Sequence, residues 1–378
     1  MRPPAPRLAS LAPRLAGAVL AFQTAFAAVA TLAAASPAAA DDYVLQGPLR
    51  GRDMTPFHLS RLEMLPARSS SALGDRWSLE VDLAHINTFA KSKAVDEYLV
   101  ARGRRQAITR RDVEALLAIK GDVFYLDGEI GLLATTLHYK AGERLGFFLA
   151  WPAIYYTGGI FDTAIEGFHR SLGLGNADRQ RVARNEFRMV YRIGREQAVQ
   201  LAAPESGPSD PVLGVRYRLL PPASRWDLIV EAAVKVAVHS AGALSTGGSD
   251  LGLQLALRRA FGSQGRQAVF LDASEVHFGG TLPDRRVDRN NVPALVTGYE
   301  LGLTRRTSAV AQLYVSPSVF RRSQVPQLIQ TKFEILAGVR SQRGPLTWQL
   351  AIIENIFHLE NTPDVGALLG VTWRLTGN

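Results

Sequence analysis

The sequence predicts an all-β protein: an antiparallel transmembrane β-barrel of about 14 strands, with one short helical insertion after the third strand. Three observations predict it. After residue 76 the chain falls into segments of alternating apolar and polar residues, as in Trp77, Leu79, Val81 and Leu83 against Ser78, Glu80, Asp82 and Ala84. The connections are short and long by turns, the pattern of a barrel with tight turns on one rim and loops on the other. The segments run to about 8–12 residues, close to the ~9–11 that cross a bilayer at a tilt.

Composition narrows the class. The chain has 378 residues and no Cys, which excludes disulfide staples, Cys-ligated zinc, iron–sulfur clusters and a Cys nucleophile. Residues 1–40 read as a cleaved signal peptide: Arg2, Arg7 and Arg14 start it, an uncharged Ala/Leu-rich run follows, and Ala38-Ala39-Ala40 precedes Asp41. Without those three arginines the formal charge falls from +9 to +6, and no basic patch with interleaved aromatics occurs, so nucleic acid is not an expected partner. Beyond residue 40 no apolar run is long enough for a membrane helix. The expected partners are outer-membrane lipid and the machinery that inserts barrels.

Residues 41–75 form a polar, Pro- and Gly-containing lead-in that could fold under or into the barrel of 76–378. The first strand covers 77–89. Thr109 and Asp112 form a capping-box pattern for a helix near 110–119. Strands at 124–139 and 145–155 follow, then, after the insertion, a fourth and fifth at 186–193 and 197–203. The remaining nine are 212–220, 226–238, 250–258, 267–278, 294–304, 308–316, 332–340, 346–356 and 365–375. An even count puts both ends of the barrel on the periplasmic side. Trp77, Trp226, Trp348, Trp373 and Tyr155 sit at strand ends, where an aromatic girdle belongs.

The insertion, 151–176, is where a specific function is expected. Phe161, Ile165, Phe168 and Leu172 recur on one helix face, and Asp162, Glu166 and His169 line the adjoining one. The carboxylates and imidazole could contact a ligand or hydrogen-bond the Arg-rich stretch 179–188, making the helix a plug or lid over the lumen; metal ligation is a weaker alternative, and no metal or cofactor is expected. His169-Arg170-Ser171, with Asn176 nearby, offers a His–Ser pair for a lipid hydrolase. Its spacing opposes that use, because residues two apart diverge on a helix.

The inward strand positions supply the other candidate site. Arg216, Arg218, Lys235, Arg258, Lys332, Arg340 and Arg374 would line the lumen opposite Glu231, Asp250, Glu300 and Glu334. Such sets pair inside a plugged lumen or give an open passage a mild anion preference.

Four strings carry a family resemblance: GPLRGRDMTPFHLSRL from residue 47, HINTF at 85–89, YLDGE at 125–129 and IYYTGGIFDTAIEGFHRSLGLGN at 154–176. With them the chain resembles a family of exported bacterial proteins catalogued as a domain of unknown function and held to be outer-membrane barrels. The most specific string is GGxxDxxIExFHxxxGL at 158–174, and the resemblance covers nearly all of the mature chain. It implies location and architecture, and no substrate. The leading functional expectation is a porin-like channel or transporter for a small solute. The alternatives are a lipid hydrolase using His169 and Ser171, and a structural barrel without transport.

Overall fold

The computed structural model describes residues 43–69, 76–103, 105–171, 179–221, 226–279, 289–355 and 365–375. Leu172 and Asn176 lie outside the described residues, as do the side chains of Ile165, Phe168 and His169.

All fifteen described strands belong to one hydrogen-bonded sheet, and twelve of them close into a barrel. β1 (Trp77–Lys91) lies between β2 (Val123–Lys140) and β15 (Val365–Leu375). Leu83 is thus opposite Leu133 on one side and Leu369 on the other. β2 pairs with β3 (Leu145–Thr157), and β3 with β7 (Val212–Arg218). From there every strand pairs with the next: β8 (Trp226–Lys235), β9 (Asp250–Phe261), β10 (Gln267–Phe278), β11 (Asn291–Gly302), β12 (Thr307–Ser316), β13 (Lys332–Arg343), β14 (Leu346–Asn355) and back to β15. All these pairings are antiparallel.

The count of fourteen is corrected to twelve. The expected fourth and fifth strands are β4 (Arg188–Ile193) and β5 (Glu196–Gln200), and neither is in the closed wall. The reason is the length of β2. Its 18 residues exceed one crossing, and β3 stops pairing with it at Glu129. The overhanging edge, from Val123 to Asp127, takes β4 as its partner instead, and β5 pairs with β4. A strand of six residues and one of five cannot span a bilayer. A third short strand, β6 (Gly207–Pro208), caps part of β3.

The near rim carries the tight turns and the first residues of β1. The far rim carries the long connections and α2 (Lys93–Arg102), α3 (Arg110–Ala118), α4 (Asp162–Ser171) and α5 (Pro326–Ile329). α3 begins with a full capping box, Thr109 and Asp112 each bonding the other's backbone N–H. Those bonds and one from Tyr98 outweigh burial and hold the Asp112 carboxyl down at about 2. With β4 and the overhang, α2 and α3 bury Phe89, Val95, Leu99, Leu116, Tyr125 and Val190 in a core of their own. These strand residues point outward, so this annex sits on the outer face of the barrel at the far rim.

Below the annex the outer face is apolar. Leu251, Leu253 and Leu255 on β9, Leu350 and Ile352 on β14, and Leu369 and Val371 on β15 are all exposed, while their neighbours along each strand are buried. Trp77, Trp226, Trp348 and Trp373 join this belt towards the near rim. A charge placed on the belt is costly in lipid and harmless in water. Leu253→Arg is therefore expected to lower folding stability in vesicles by ~2–4 kcal/mol, and Leu253→Phe to change it little, as measured by urea titration.

Candidate functional site

The lumen is filled by the segment 43–69. From the near rim it rises along the wall, turns at α1 (Pro56–Leu59) near the far mouth, and descends. Its two limbs are cross-linked. Ser69 N–H donates to the Gln46 carbonyl at 3.0 Å, Arg50 to the Pro66 carbonyl at 2.8 Å, and Asp53 N–H to the Glu63 carboxylate at 2.9 Å.

The strap is largely irregular, so its backbone polar groups need partners from outside. Inward wall side chains supply them. The Glu300 carboxylate accepts from the N–H groups of Gln46 at 3.1 Å and Gly47 at 2.7 Å. Arg340 donates to the carbonyls of Gly47 at 2.8 Å and Pro48 at 2.7 Å. Gln312 accepts from Leu49 N–H at 2.7 Å, Asp250 from Leu62 N–H at 2.9 Å and Asp272 from Ala67 N–H at 2.8 Å. Lys235 donates to the Ser60 carbonyl at 2.9 Å and Arg216 to the Arg68 carbonyl at 2.8 Å.

Charges bind charges in the same space. Glu80 of β1, fully buried, meets Arg68 at 2.9 Å and Arg50 at 3.3 Å from the strap and His138 at 2.9 Å from β2. Asp53 of the strap bonds Lys332 of β13. Within the wall Arg216 pairs with Glu231 at 3.0 Å, Arg218 with Asp227 at 2.8 Å and Lys235 with Asp250 at 3.0 Å.

All eleven residues expected to line the lumen occupy inward positions of their strands. Arg216, Glu231, Lys235, Asp250, Glu300, Lys332, Glu334 and Arg340 are buried, and Arg218, Arg258 and Arg374 are half-buried towards the near rim. Much of this set is engaged with the strap or with one another. Glu80, Asp82, Asp272, Gln312 and Thr372 share the lumen and were missed as site residues. Period two along their strands carried the signal.

α4 is placed otherwise than a lumen plug requires, and this part of the expectation is corrected. Its described contacts are with outward side chains of β1 and β2 and with the annex. Asp162 accepts from Asn87 at 3.1 Å and from Asn185 N–H at 2.8 Å, and lies 3.5 Å from Arg179. Glu166 bonds Arg105 at 3.0 Å and Arg184. These bonds outweigh its burial and hold the Glu166 carboxyl below its usual range. Glu129 accepts from the N–H groups of Ile160 at 3.1 Å and Phe161 at 2.8 Å and from His85 at 2.8 Å, anchoring the start of the helix. The physical reason is the strand parity of HINTF and YLDGE: His85, Asn87, Asp127 and Glu129 all point out of the barrel and draw α4 to that face. Phe161 is exposed beside His85, 5.5 Å between ring centroids. Ser171 is exposed at the last residue of the helix. The helical backbone from Asp162 to Ser171 turns side chains two apart away from each other, which the hydrolase alternative does not accommodate. Among the described residues no group of His, Asp and Glu side chains is disposed to hold a metal ion.

A closed antiparallel barrel with an apolar belt outside and an occupied polar lumen defines an outer-membrane-type β-barrel. The chain belongs to the family described as "Protein of unknown function (DUF3187)", whose model matches residues 25–375. No curated protein matches it. Among solved structures it is similar to an outer-membrane channel from Pseudomonas putida F1, at 13% identity over 80% of this chain and 96% of that one, TM-score 0.47. It is similar also to the Pseudomonas putida toluene transporter TodX, at 12% identity over 80% and 91%, TM-score 0.37. A third is the NanC porin, at 9% identity over 65% and 94%, TM-score 0.39.

His58 gives the strap a pH dependence. It is buried at the apex, 2.9 Å from Asp53, and burial, with Arg52 and Arg61 close by, lowers its imidazole to about 4. The unfolded strap takes up that proton near the ordinary value of about 6.5. Stability from the neutral ring is therefore complete above that value and is lost as pH falls from about 6.5 to about 4. Protease protection of 43–69 is expected to decline across that window, and the decline to be shallower in His58→Gln. A second expectation concerns Gly159, whose φ is +91° and where an added Cβ would fall 2.4 Å from the Glu129 carboxyl. Gly159→Val should expose the 158–171 segment to limited proteolysis while leaving the barrel folded.

Proposed function

We propose that this chain is an outer-membrane channel or transporter for a small solute, exported by a cleaved signal peptide and closed at rest by its own N-terminal strap. The observation that carries the reading is the occupied lumen. A barrel that served only as a scaffold could fill its interior with wall side chains, as small barrels do. Here a separate segment fills it, held by side chain-to-backbone bonds and ion pairs from the wall. The plug role expected of the helical insertion passes to 43–69. The pairing of Arg216, Arg218, Lys235, Lys332 and Arg340 with carboxylates lowers the net charge of the passage, so the excess of basic side chains supplies little anion preference while the strap is in place.

Planar-bilayer conductance of the purified protein tests the reading. Steady current is expected to be small for the full chain and to rise several-fold when 43–69 is deleted. No current from either form would remove it. A point substitution gives a graded version. Arg68→Ala strips one partner from the buried Glu80, a change that costs ~3–5 kcal/mol when a buried pair is broken. It is expected to give flickering openings that the full chain lacks.

A further inference from the structure

The apex of the strap carries a ring with three aromatic neighbours. Phe57 stands among three aromatic rings, Phe320 at 4.8 Å and 71°, Tyr191 at 5.2 Å and 80°, and Phe124 at 5.8 Å and 48° between centroids and planes. Edge-on and tilted contacts at these spacings are the favourable geometry for benzene-type rings. The three partners come from separate places, the loop before α5, β4 and the overhang of β2, so they form a slot at the far mouth. Val319 and Leu328 extend its apolar lining, and about 20 Å³ of space remains beside the Phe57 ring.

Two further observations bear on what this slot accepts. Among the described lining residues one side chain is charged, Lys332, and it is already bound by Asp53. A carboxylate or phosphate arriving there meets no unengaged cation among the described lining residues. The main chain of the apex is bonded within the strap. Among the described hydrogen bonds none ties the main chain of 55–59 to the wall, and Thr55 gives α1 no side-chain cap. Phe57 is half-buried and is kept in place by ring packing.

We propose that this cleft is a binding site for a small uncharged aromatic solute, whose ring takes the place held by Phe57. Entry is from the far mouth, and the solute gains the ring contacts that Phe57 gives up. Displacing Phe57 loosens the apex while the limbs stay bound to Glu300, Arg340 and Glu80. The inference names the solute class for the channel reading and rests on it for its place in transport, whereas binding stands without it.

The test uses the full chain in detergent with 4-fluorophenylalanine at position 57 and toluene as the probe. The fluorine resonance at Phe57 is expected to shift saturably with toluene, and benzoate to act at least tenfold more weakly. The same label at Phe147, exposed on the outer belt, should drift without saturating, because it reports partition into the micelle. Phe320→Ala should abolish the saturable shift at Phe57; if that variant does not fold, Tyr191→Leu takes its place. A Phe57 signal that tracks Phe147, or an equal response to benzoate, overturns the proposal. Conductance on the same preparation separates the two readings. A protein that conducts while Phe57 ignores toluene loses this site alone, and one that binds toluene saturably but conducts with neither strap nor deletion loses the channel.

Discussion

An irregular segment inside a barrel has no backbone partners of its own, and the rest of this structure depends on how that need is met. A buried N–H or carbonyl without a partner costs a large fraction of a protein's net stability. The strap has two limbs and one four-residue helix, so most of its backbone groups look to the wall or to the opposite limb. The wall answers with carboxylates where N–H groups arrive, at Glu300, Asp250 and Asp272, and with cations where carbonyls arrive, at Arg340, Lys235 and Arg216. The polarity of the lumen is thus a template for one particular chain path as well as a lining for water.

The same economy explains the outer annex. Strand β2 outlasts the barrel, and its outward side chains above the belt are polar where lipid no longer requires otherwise. Asp127, Glu129, His85 and Asn87 would be stranded on a bare strand face. α4, the two residues before it and the 179–185 stretch cover them and supply Asp162, Arg179 and the N–H groups of Ile160 and Phe161 as partners. Three of the strings on which the family resemblance rests, HINTF, YLDGE and the GG–helix motif, meet at this one cluster, and the fourth is the strap in the lumen. The recognisable parts of the sequence are those where polar groups are buried and their geometry is over-determined.

Much of the fold was legible and less of the site. Strict alternation placed every wall strand, because a barrel between lipid and a polar lumen imposes period two on each crossing. The same rule led to the overcount: β4 and β5 alternate as wall strands do, and alternation carries no information about how far a strand reaches. Glu80 and Arg340 were readable as inward, yet their partners were not, because those lie in a stretch with no period. Thr109 and Asp112 revealed α3, since a capping box is local. The side of the wall on which α4 lies was hidden, because it depends on whether Glu129 falls at an odd or even step from a register set elsewhere.

The strap also has a place in time. It precedes every wall strand in sequence, yet its partners include residues of β13 and β15, at the far end of the chain. Arg68 meets Thr372 across 304 residues of sequence and Arg340 meets Gly47 across 293. Contacts of such separation form late and slowly. Until the seam between β1 and β15 closes, the segment 43–69 has half a template and its charges remain in water. Full seating of the strap therefore needs that seam closed, because Thr372 of β15 is one of its partners.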